Sequence, residues 1–77
     1  MQSIEDRIKP LIGEQVGISP SSVSDDDTIY TLGGDSLDRV ELVMMIEDDF
    51  MFEIPDEEAD KLQTVKQIVD YVEANAK

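Results

Sequence analysis

A loop runs into a helix in the segment Gly33-Gly34-Asp35-Ser36-Leu37-Asp38-Arg39-Val40-Glu41-Leu42. The two adjacent glycines let the backbone turn with little steric cost. Asp35 is a favoured N-cap residue, and Asp38 three positions later gives a weak form of the capping box. The pattern predicts that Ser36 occupies the first helical position, with its hydroxyl in solvent beside unpaired backbone N–H groups. Because a helix N-terminus attracts phosphate, the segment is compatible with a phosphate site as well as with a plain capped helix.

Upstream of this segment, apolar residues at helical spacing predict a first helix that begins after Ser3 and stops at Gly17. Pro10 lies inside it, where proline removes one backbone hydrogen bond at a cost of ~3 kcal/mol. Because the apolar period continues across Pro10, we predict one kinked helix. A long connection over residues 17–34 follows, in which residues 19–23 form one helical turn. We expect five apolar side chains to hold this connection on the core: Ile18, Val23, Ile29, Tyr30 and Leu32.

The second helix is predicted to run from Ser36 to about Phe50. One apolar stripe is expected to face the core, and it consists of Val40, Val43, Ile46 and Phe50, with Leu42 alongside. Another stripe combines two apolar and two acidic side chains, Leu37, Glu41, Met44 and Asp48. We interpret this second stripe as an outward contact surface, because methionine adapts to varied partners. The alternative is that Leu37 and Met44 only flank the core.

Beyond the second helix, Phe52 is expected to be partly exposed, and Asp56 is predicted to cap a short helix that reaches Leu62. Thr64 and Gln67 form a capping box for a last helix. That helix is expected to turn Val65, Ile68, Val69 and Val72 to the core, with Tyr71 at its edge. The sequence therefore predicts an all-α fold, a small bundle of three main helices plus one short helix, with a long loop between the first and second helices.

Composition limits the function classes that this chain can serve. Its 77 residues suit one small domain, and it contains neither cysteine nor histidine. Nineteen acidic against six basic residues give a net charge of −13, which argues against nucleic-acid binding and against anionic membranes. The N-terminus lacks a secretory pattern and no apolar stretch is long enough to span a membrane, so we predict a soluble, cytoplasmic protein. The acidity predicts partners with basic patches.

The acidic residues do not form a recognisable metal or catalytic motif. An EF-hand loop needs Gly at its sixth position and Glu at its twelfth. Counted from Asp25 these positions hold Tyr30 and Ser36, and counted from Asp56 they hold Lys61 and Gln67. We therefore predict no specific metal site, although loose binding of divalent cations to the acidic face remains open. Without histidine, Ser36 has no partner for a Ser-His pair, and no enzyme activity is expected.

The Gly-Asp-Ser-Leu segment, followed by Asp38, Val40, Glu41 and Leu42, resembles the prosthetic-group site of acyl carrier proteins. The resemblance extends through Glu14-Gln15, residues 41–44, Glu47, Phe50 and the segment Glu53-Ile54-Pro55-Asp56-Glu57-Glu58-Ala59 to Asp70-Tyr71. It implies that residues 1–77 form a single acyl-carrier domain, a free-standing monomer of the bacterial fatty-acid-synthesis type. One departure lies at Thr28-Ile29-Tyr30-Thr31, where the loop is about one residue short and lacks the usual Phe and acidic residue.

The resemblance also implies the cofactor and the site residues. A 4′-phosphopantetheine group from coenzyme A, added by a phosphopantetheinyl transferase, would esterify Ser36 and carry acyl chains as thioesters. Partner enzymes of fatty-acid synthesis and acyl transfer, with basic docking patches, would contact Asp35, Leu37, Asp38, Glu41, Met44, Glu47, Asp48, Asp56 and Glu57. An acyl pocket would be lined by Val43, Ile46, Phe50, Ile54, Ala59, Leu62, Ile68 and Tyr71.

Two alternatives stay open on the sequence. The chain could be a carrier for a specialised pathway, such as polyketide synthesis or aminoacyl loading. It could also be an acidic interaction or cation-binding module that carries no prosthetic group, with Ser36 unmodified or phosphorylated.

Overall fold

A computed structural model describes residues 3–76 of the chain. Helix α1 spans Ile4–Val16, α2 spans Ser36–Phe50, α3 spans Asp56–Ala59 and α4 spans Val65–Asn75, with a short 3₁₀ turn at Pro20–Ser22. No strand forms in the described part of the chain. The predicted all-α bundle, with three main helices, one short helix and a long loop before α2, is therefore confirmed.

Helix α1 is continuous, as predicted, and Pro10 lies within it. Its first turn is capped by the Ser3 hydroxyl, which accepts a hydrogen bond from the backbone N–H of Asp6 at 3.1 Å. Its end is capped at Gly17, whose N–H donates to the carbonyl oxygen of Gly13 at 2.7 Å. Both helix ends thus lie where the capping residues predicted them.

The core lies between α1, α2 and α4, and α1 contacts both of the other long helices. No polar or charged side chain among residues 3–76 is buried. The buried side chains come from every part of the chain: Ile8, Ile12, Val23, Ile29, Leu42, Ile46, Phe50, Ile54, Val65, Ile68, Val69 and Val72. Burial of each large aliphatic side chain contributes about 1.5–3 kcal/mol, and these residues together hold the helices in place.

One prediction about α2 is wrong. Val40 was expected to face the core, but its side chain is 55% exposed, whereas Leu42 is fully buried. At 100° per residue, Leu42, Ile46 and Phe50 lie along one side of the helix, and Val40 points about 120° away from Ile46. Val43 lies between these directions and is half-buried. The buried face of α2 therefore includes Leu42, Ile46 and Phe50, as the sequence predicts, and excludes Val40.

The long loop packs much as expected. Val23 and Ile29 are buried, and Ile18 and Leu32 are partly buried against the core. Tyr30 differs, because its side chain is about half exposed. The backbone of the loop is also joined to α4, since the N–H of Val65 donates to the carbonyl oxygen of Asp27 at 2.8 Å.

Helix α3 is shorter than predicted and lacks its expected cap. Its N-cap position is Pro55, with no side-chain cap, and Asp56 is the first helical residue. The helix ends at Ala59 because the next hydrogen bonds tighten, with the N–H of Leu62 donating to the carbonyl oxygen of Ala59 at 3.1 Å. The prediction that Asp56 caps a helix reaching Leu62 is therefore wrong.

Helix α4 agrees with the prediction. The Thr64 hydroxyl accepts from the N–H of Gln67 at 3.1 Å, and the Gln67 side chain accepts from the N–H of Thr64 at 2.9 Å. All four predicted core residues of α4 are buried, and Tyr71 is half-buried at its edge. The partly exposed Phe52 stacks on Tyr71, with 6.4 Å between ring centroids.

Candidate functional site

Ser36 is exposed at the start of α2, where the preceding loop is closed by two threonines. The N–H of Thr28 donates to the Thr31 hydroxyl at 2.8 Å, and the N–H of Thr31 donates to the Thr28 hydroxyl at 3.1 Å. Ile29 lies inside this turn and is buried in the core. The segment in which the sequence departs from the acyl carrier pattern is thus a compact turn that anchors the loop just before α2.

Two glycines bring the loop from this turn to the helix. Gly33 has φ 93°, a left-handed conformation that other residues adopt only with strain. Gly34 donates its N–H to the carbonyl oxygen of Ile29 at 2.8 Å. A β-carbon at Gly34 would lie 2.6 Å from Cγ2 of Ile29 and 3.0 Å from Oδ2 of Asp38, so only glycine fits this close approach.

A reciprocal capping box fixes the first turn of α2. The Asp35 carboxylate accepts from the N–H of Asp38 at 3.0 Å, and the Asp38 carboxylate accepts from the N–H of Asp35 at 3.0 Å. Within residues 3–76, the N–H groups of Ser36 and Leu37 have no hydrogen-bond acceptor. The exposed Ser36 hydroxyl therefore lies beside two free backbone donors at the positive end of a 15-residue helix.

Gln15 joins this cap to α1. Its side-chain Nε2 donates to Oδ1 of Asp38 at 3.0 Å and to Oε2 of Glu41 at 3.0 Å. The hydrogen bond from Gln15, followed by the one from the Asp35 backbone, lowers the pKa of the Asp38 carboxyl from its usual value. One amide thus holds two of the predicted partner-binding carboxylates against the neighbouring helix.

The predicted contact stripe on α2 does face outward. Leu37 is 63% exposed and Met44 is 59% exposed, so they do not merely flank the core. Val40 lies beside them and adds apolar surface that the sequence interpretation assigned to the interior. We name Leu37, Val40 and Met44, together with the exposed acidic residues Glu41 and Asp48, the α2 outer face.

The other predicted partner-binding acids have different surroundings. Asp35 is exposed and caps α2, and Asp56 and Glu57 are exposed in the first turn of α3. Glu47 is half-buried, and its carboxylate accepts from the N–H of Ile54 at 2.8 Å. Glu47 therefore also holds the segment after α2 against the helix.

An apolar cavity of about 10 Å³ lies between α2, the loop and α4. Five of the eight residues predicted for an acyl pocket line it, namely Val43, Ile46, Ile54, Leu62 and Ile68. Ile29, Tyr30 and Leu42 add apolar surface, and Arg39 and Gln63 are its polar lining residues. The other three predicted pocket residues, Phe50, Ala59 and Tyr71, do not line this cavity.

Arg39 is a site residue that the sequence interpretation did not assign. Its guanidinium donates to the carbonyl oxygen of Ala59 and lies 3.8 Å from the Asp60 carboxylate. Helical spacing offered a signal, because Arg39 lies three and four positions before Leu42 and Val43, on the side of α2 that faces the core. A cation on that side requires a buried or half-buried acceptor, and the Ala59 carbonyl supplies it.

Residues 6–72 match the phosphopantetheine attachment site family, and the chain belongs to that family. The protein is thus a carrier of the acyl or peptidyl carrier type that bears a covalent 4′-phosphopantetheine group, and it is not an enzyme. The geometry at Ser36 fits such a group, since an exposed hydroxyl and two free backbone N–H donors can meet a phosphodiester. When attached, the group supplies the thiol that carries the acyl chain, and a phosphopantetheinyl transferase is needed to add it.

No three acidic side chains in residues 3–76 are grouped so that they could hold a metal ion. No helix in the same range is long and apolar enough to cross a membrane.

The Gln15–Asp38 hydrogen bond predicts a pH effect. Because the pKa of Asp38 is lowered in the folded state, its contribution to stability is complete above the usual aspartate pKa of about 3.9 and is lost as pH falls through the lower folded value. Replacement Gln15→Leu should raise the Asp38 pKa toward the usual value, as NMR titration of the carboxyl carbon would report. Urea melts should show a stability deficit of this variant that is larger at pH 6 than below pH 3. An unchanged Asp38 pKa in Gln15→Leu would contradict this account of the shift.

Proposed function

We propose that this protein carries acyl chains for fatty-acid synthesis on a 4′-phosphopantetheine arm attached to Ser36. Ser36 is exposed at the capped start of α2 and lies directly beside the α2 outer face, and this position supports the proposal. An enzyme that receives the arm must approach Ser36, and this face is the nearest large surface that combines apolar side chains with carboxylates.

Ser36 supplies the nucleophile of the attachment step. Its Oγ forms a phosphodiester with the pantetheine phosphate of coenzyme A and loses its proton, and adenosine 3′,5′-bisphosphate leaves. That proton passes to a general base within the complex with the transferase. The free N–H groups of Ser36 and Leu37 would favour the negative phosphodiester that results.

Recognition by fatty-acid synthesis enzymes is supported by charge. Residues 35–60 contain eleven carboxylate side chains and one cation, Arg39. Because Arg39 interacts with Ala59 and Asp60, the exposed carboxylates Glu41 and Asp48 dominate the α2 outer face. A basic patch on a partner would be steered to this face, and Leu37, Val40 and Met44 would then lose water on contact. The further acids Asp35, Asp38, Glu47, Asp56 and Glu57 would extend the same contact.

The lining of the cavity favours a hydrocarbon cargo over a polar one. Eight of the ten residues around it are apolar or aromatic, and they include five of the proposed acyl-pocket residues. A fatty acyl chain gains free energy from such surroundings, whereas an aminoacyl group would leave its ammonium without a partner. We retain Phe50, Ala59 and Tyr71 in the proposed pocket as neighbours that could line it once it widens.

The attachment site can be tested by mass. After incubation with coenzyme A and a phosphopantetheinyl transferase, the wild-type protein should gain one phosphopantetheine, and Ser36→Ala should gain none while keeping its helical content. Ser22→Ala, another exposed serine, is the matched control and should be modified like the wild type. Modification of Ser36→Ala would refute the assignment of Ser36. A wild-type protein that stays unmodified would instead favour the acidic interaction or cation-binding module.

Charge reversal tests whether the α2 outer face is the docking surface for partner enzymes. Replacing both Glu41 and Asp48 by Lys should lower kcat/KM with a purified acyltransferase of fatty-acid synthesis by about tenfold or more, mainly through slower association. The wild-type reaction should weaken as salt rises.

The matched control for this reversal is the pair Asp26→Lys and Glu73→Lys, which makes the same charge change at exposed positions outside the α2 outer face. Melting temperatures should be compared for both pairs, since Glu41→Lys also loses the hydrogen bond from Gln15. Equal effects of the two pairs on kcat/KM would mean that the acidity acts only as general charge. If the phosphopantetheine-bearing protein is instead a substrate of polyketide or aminoacyl-loading enzymes and not of fatty-acid synthesis enzymes, that result would favour a carrier for a specialised pathway.

A further inference from the structure

The apolar cavity is nearly closed, and Arg39 lies at its boundary. A volume of about 10 Å³ holds no more than about one water molecule, so an acyl chain can enter only if a wall moves. Next to the cavity is an open groove of about 610 Å³ between α2 and residues 54–60. Arg39, Val43 and Ile54 line both spaces, and they therefore separate the closed cavity from the open groove.

The wall most able to move is the segment 56–62, which contains α3. This helix has four residues and no side-chain cap, and none of its side chains is buried. Isolated helices of this length are unstable, so tertiary contacts must hold the segment in place. Among the residues that the structure describes, Arg39 is the one residue of another element whose side chain forms hydrogen bonds or ion pairs with residues 56–62.

We propose that Arg39 acts as a latch that holds the α3 segment on α2 and sets the length at which an acyl chain enters the cavity. The Arg39 side chain is only 20% exposed, and the hydrogen bond from its guanidinium to the Ala59 carbonyl is charge-assisted. Entry of a chain requires that this bond be released so that residues 56–62 can move outward. The proposal rests on the proposed carrier function, but the latch itself can be measured without any prosthetic group.

The latch makes entry depend on chain length. Breaking a hydrogen bond to a charged group disfavours the open state by about 10- to 150-fold. Each methylene that moves from water into an apolar pocket favours the inserted state by roughly fourfold. About two to four buried methylenes are therefore needed to offset the latch. Short acyl groups should leave Arg39 bound to Ala59, and longer chains should displace it.

The first experiment measures the latch in the protein without its arm. In Arg39→Met, which keeps the aliphatic stem and removes the donors, hydrogen exchange of the Asp60, Lys61 and Leu62 amides should accelerate by about tenfold or more. Exchange of the Ile46 amide in α2 should not change. Lys61→Met is the matched control, since it also removes one positive charge but only loses an ion pair to Glu58 within the same segment, at 3.7 Å.

Arg39→Ala removes the same donors without any risk of overpacking. It should accelerate hydrogen exchange of the same three amides. Equal exchange of the segment in Arg39→Met, Lys61→Met and the wild type would overturn the latch. Wild-type amides that exchange in the segment as fast as in an unfolded chain would overturn it too, because a segment that is already open is not latched.

The second experiment measures entry of the chain. Straight-chain acyl groups of increasing length are loaded onto the arm, and the melting temperature of each acylated protein is compared with that of the protein carrying the unloaded arm. The shortest chain that raises the melting temperature should be about two to four methylenes shorter in Arg39→Met than in the wild type. An identical threshold in both proteins would overturn the role in chain selection.

The outcomes separate the two proposals. Failure to load any arm onto Ser36 would overturn the carrier assignment and the role of Arg39 in chain selection, while the exchange experiment would still decide whether Arg39 latches the segment. Normal loading with unchanged exchange in Arg39→Met would overturn the latch and leave the carrier function intact.

Discussion

Two carboxylates at the start of α2 hold the segment that contains Ser36, the proposed attachment residue. Asp35 and Asp38 each accept the other's backbone N–H, and this pair ends the loop and begins the helix at one defined residue. The next residue is Ser36, whose hydroxyl and neighbouring N–H groups are thereby directed to solvent. Gly34 permits the arrangement, because a β-carbon there would collide with Ile29 and crowd Asp38. The Asp35–Asp38 cap, the buried Ile29 and the absence of a side chain at Gly34 thus together fix the position of Ser36.

The remaining helices position this junction and divide its surroundings into two sides. Helix α1 packs against both α2 and α4, and its Gln15 reaches the cap while Arg7 reaches the other end of α2. The Arg7 guanidinium bonds to Asp49 at 2.9 Å and lies 4.1 Å from the centre of the Phe50 ring. One side of α2 is therefore fixed to the core along its length, and the opposite side stays free for contact. The short α3 segment borders the apolar cavity through Leu62, has no side-chain cap, and is joined to α2 through Arg39.

The sequence was sufficient wherever a local interaction decides the structure. Ser3, Asp35 and Thr64 are side-chain caps whose partners lie three residues away, so all three helix starts were predictable. Asp56 failed as a cap because Pro55 precedes it and occupies that position. The expected burial of Val40 failed for another reason. Val40 and Leu42 are both apolar and two residues apart, and it is the packing of α2 in the core that buries Leu42 and leaves Val40 exposed. Arg39 was missed because its acceptor lies 20 residues away in the chain, on a segment whose position the sequence does not determine.

The rate of phosphopantetheine transfer would show whether the junction from Gly34 to Asp38 presents Ser36 for modification. We would compare Gly34→Ala, which disturbs the junction, with Val72→Ala, which weakens the core of α4 by removing buried methyl groups. Transfer to Ser36 should slow by about tenfold or more in Gly34→Ala, because a small displacement of a reacting hydroxyl has a large effect on rate. Val72→Ala should be modified at the wild-type rate at a temperature where both variants are folded. A wild-type rate of transfer in Gly34→Ala, or equal slowing in both variants, would show that the junction does not control modification of Ser36.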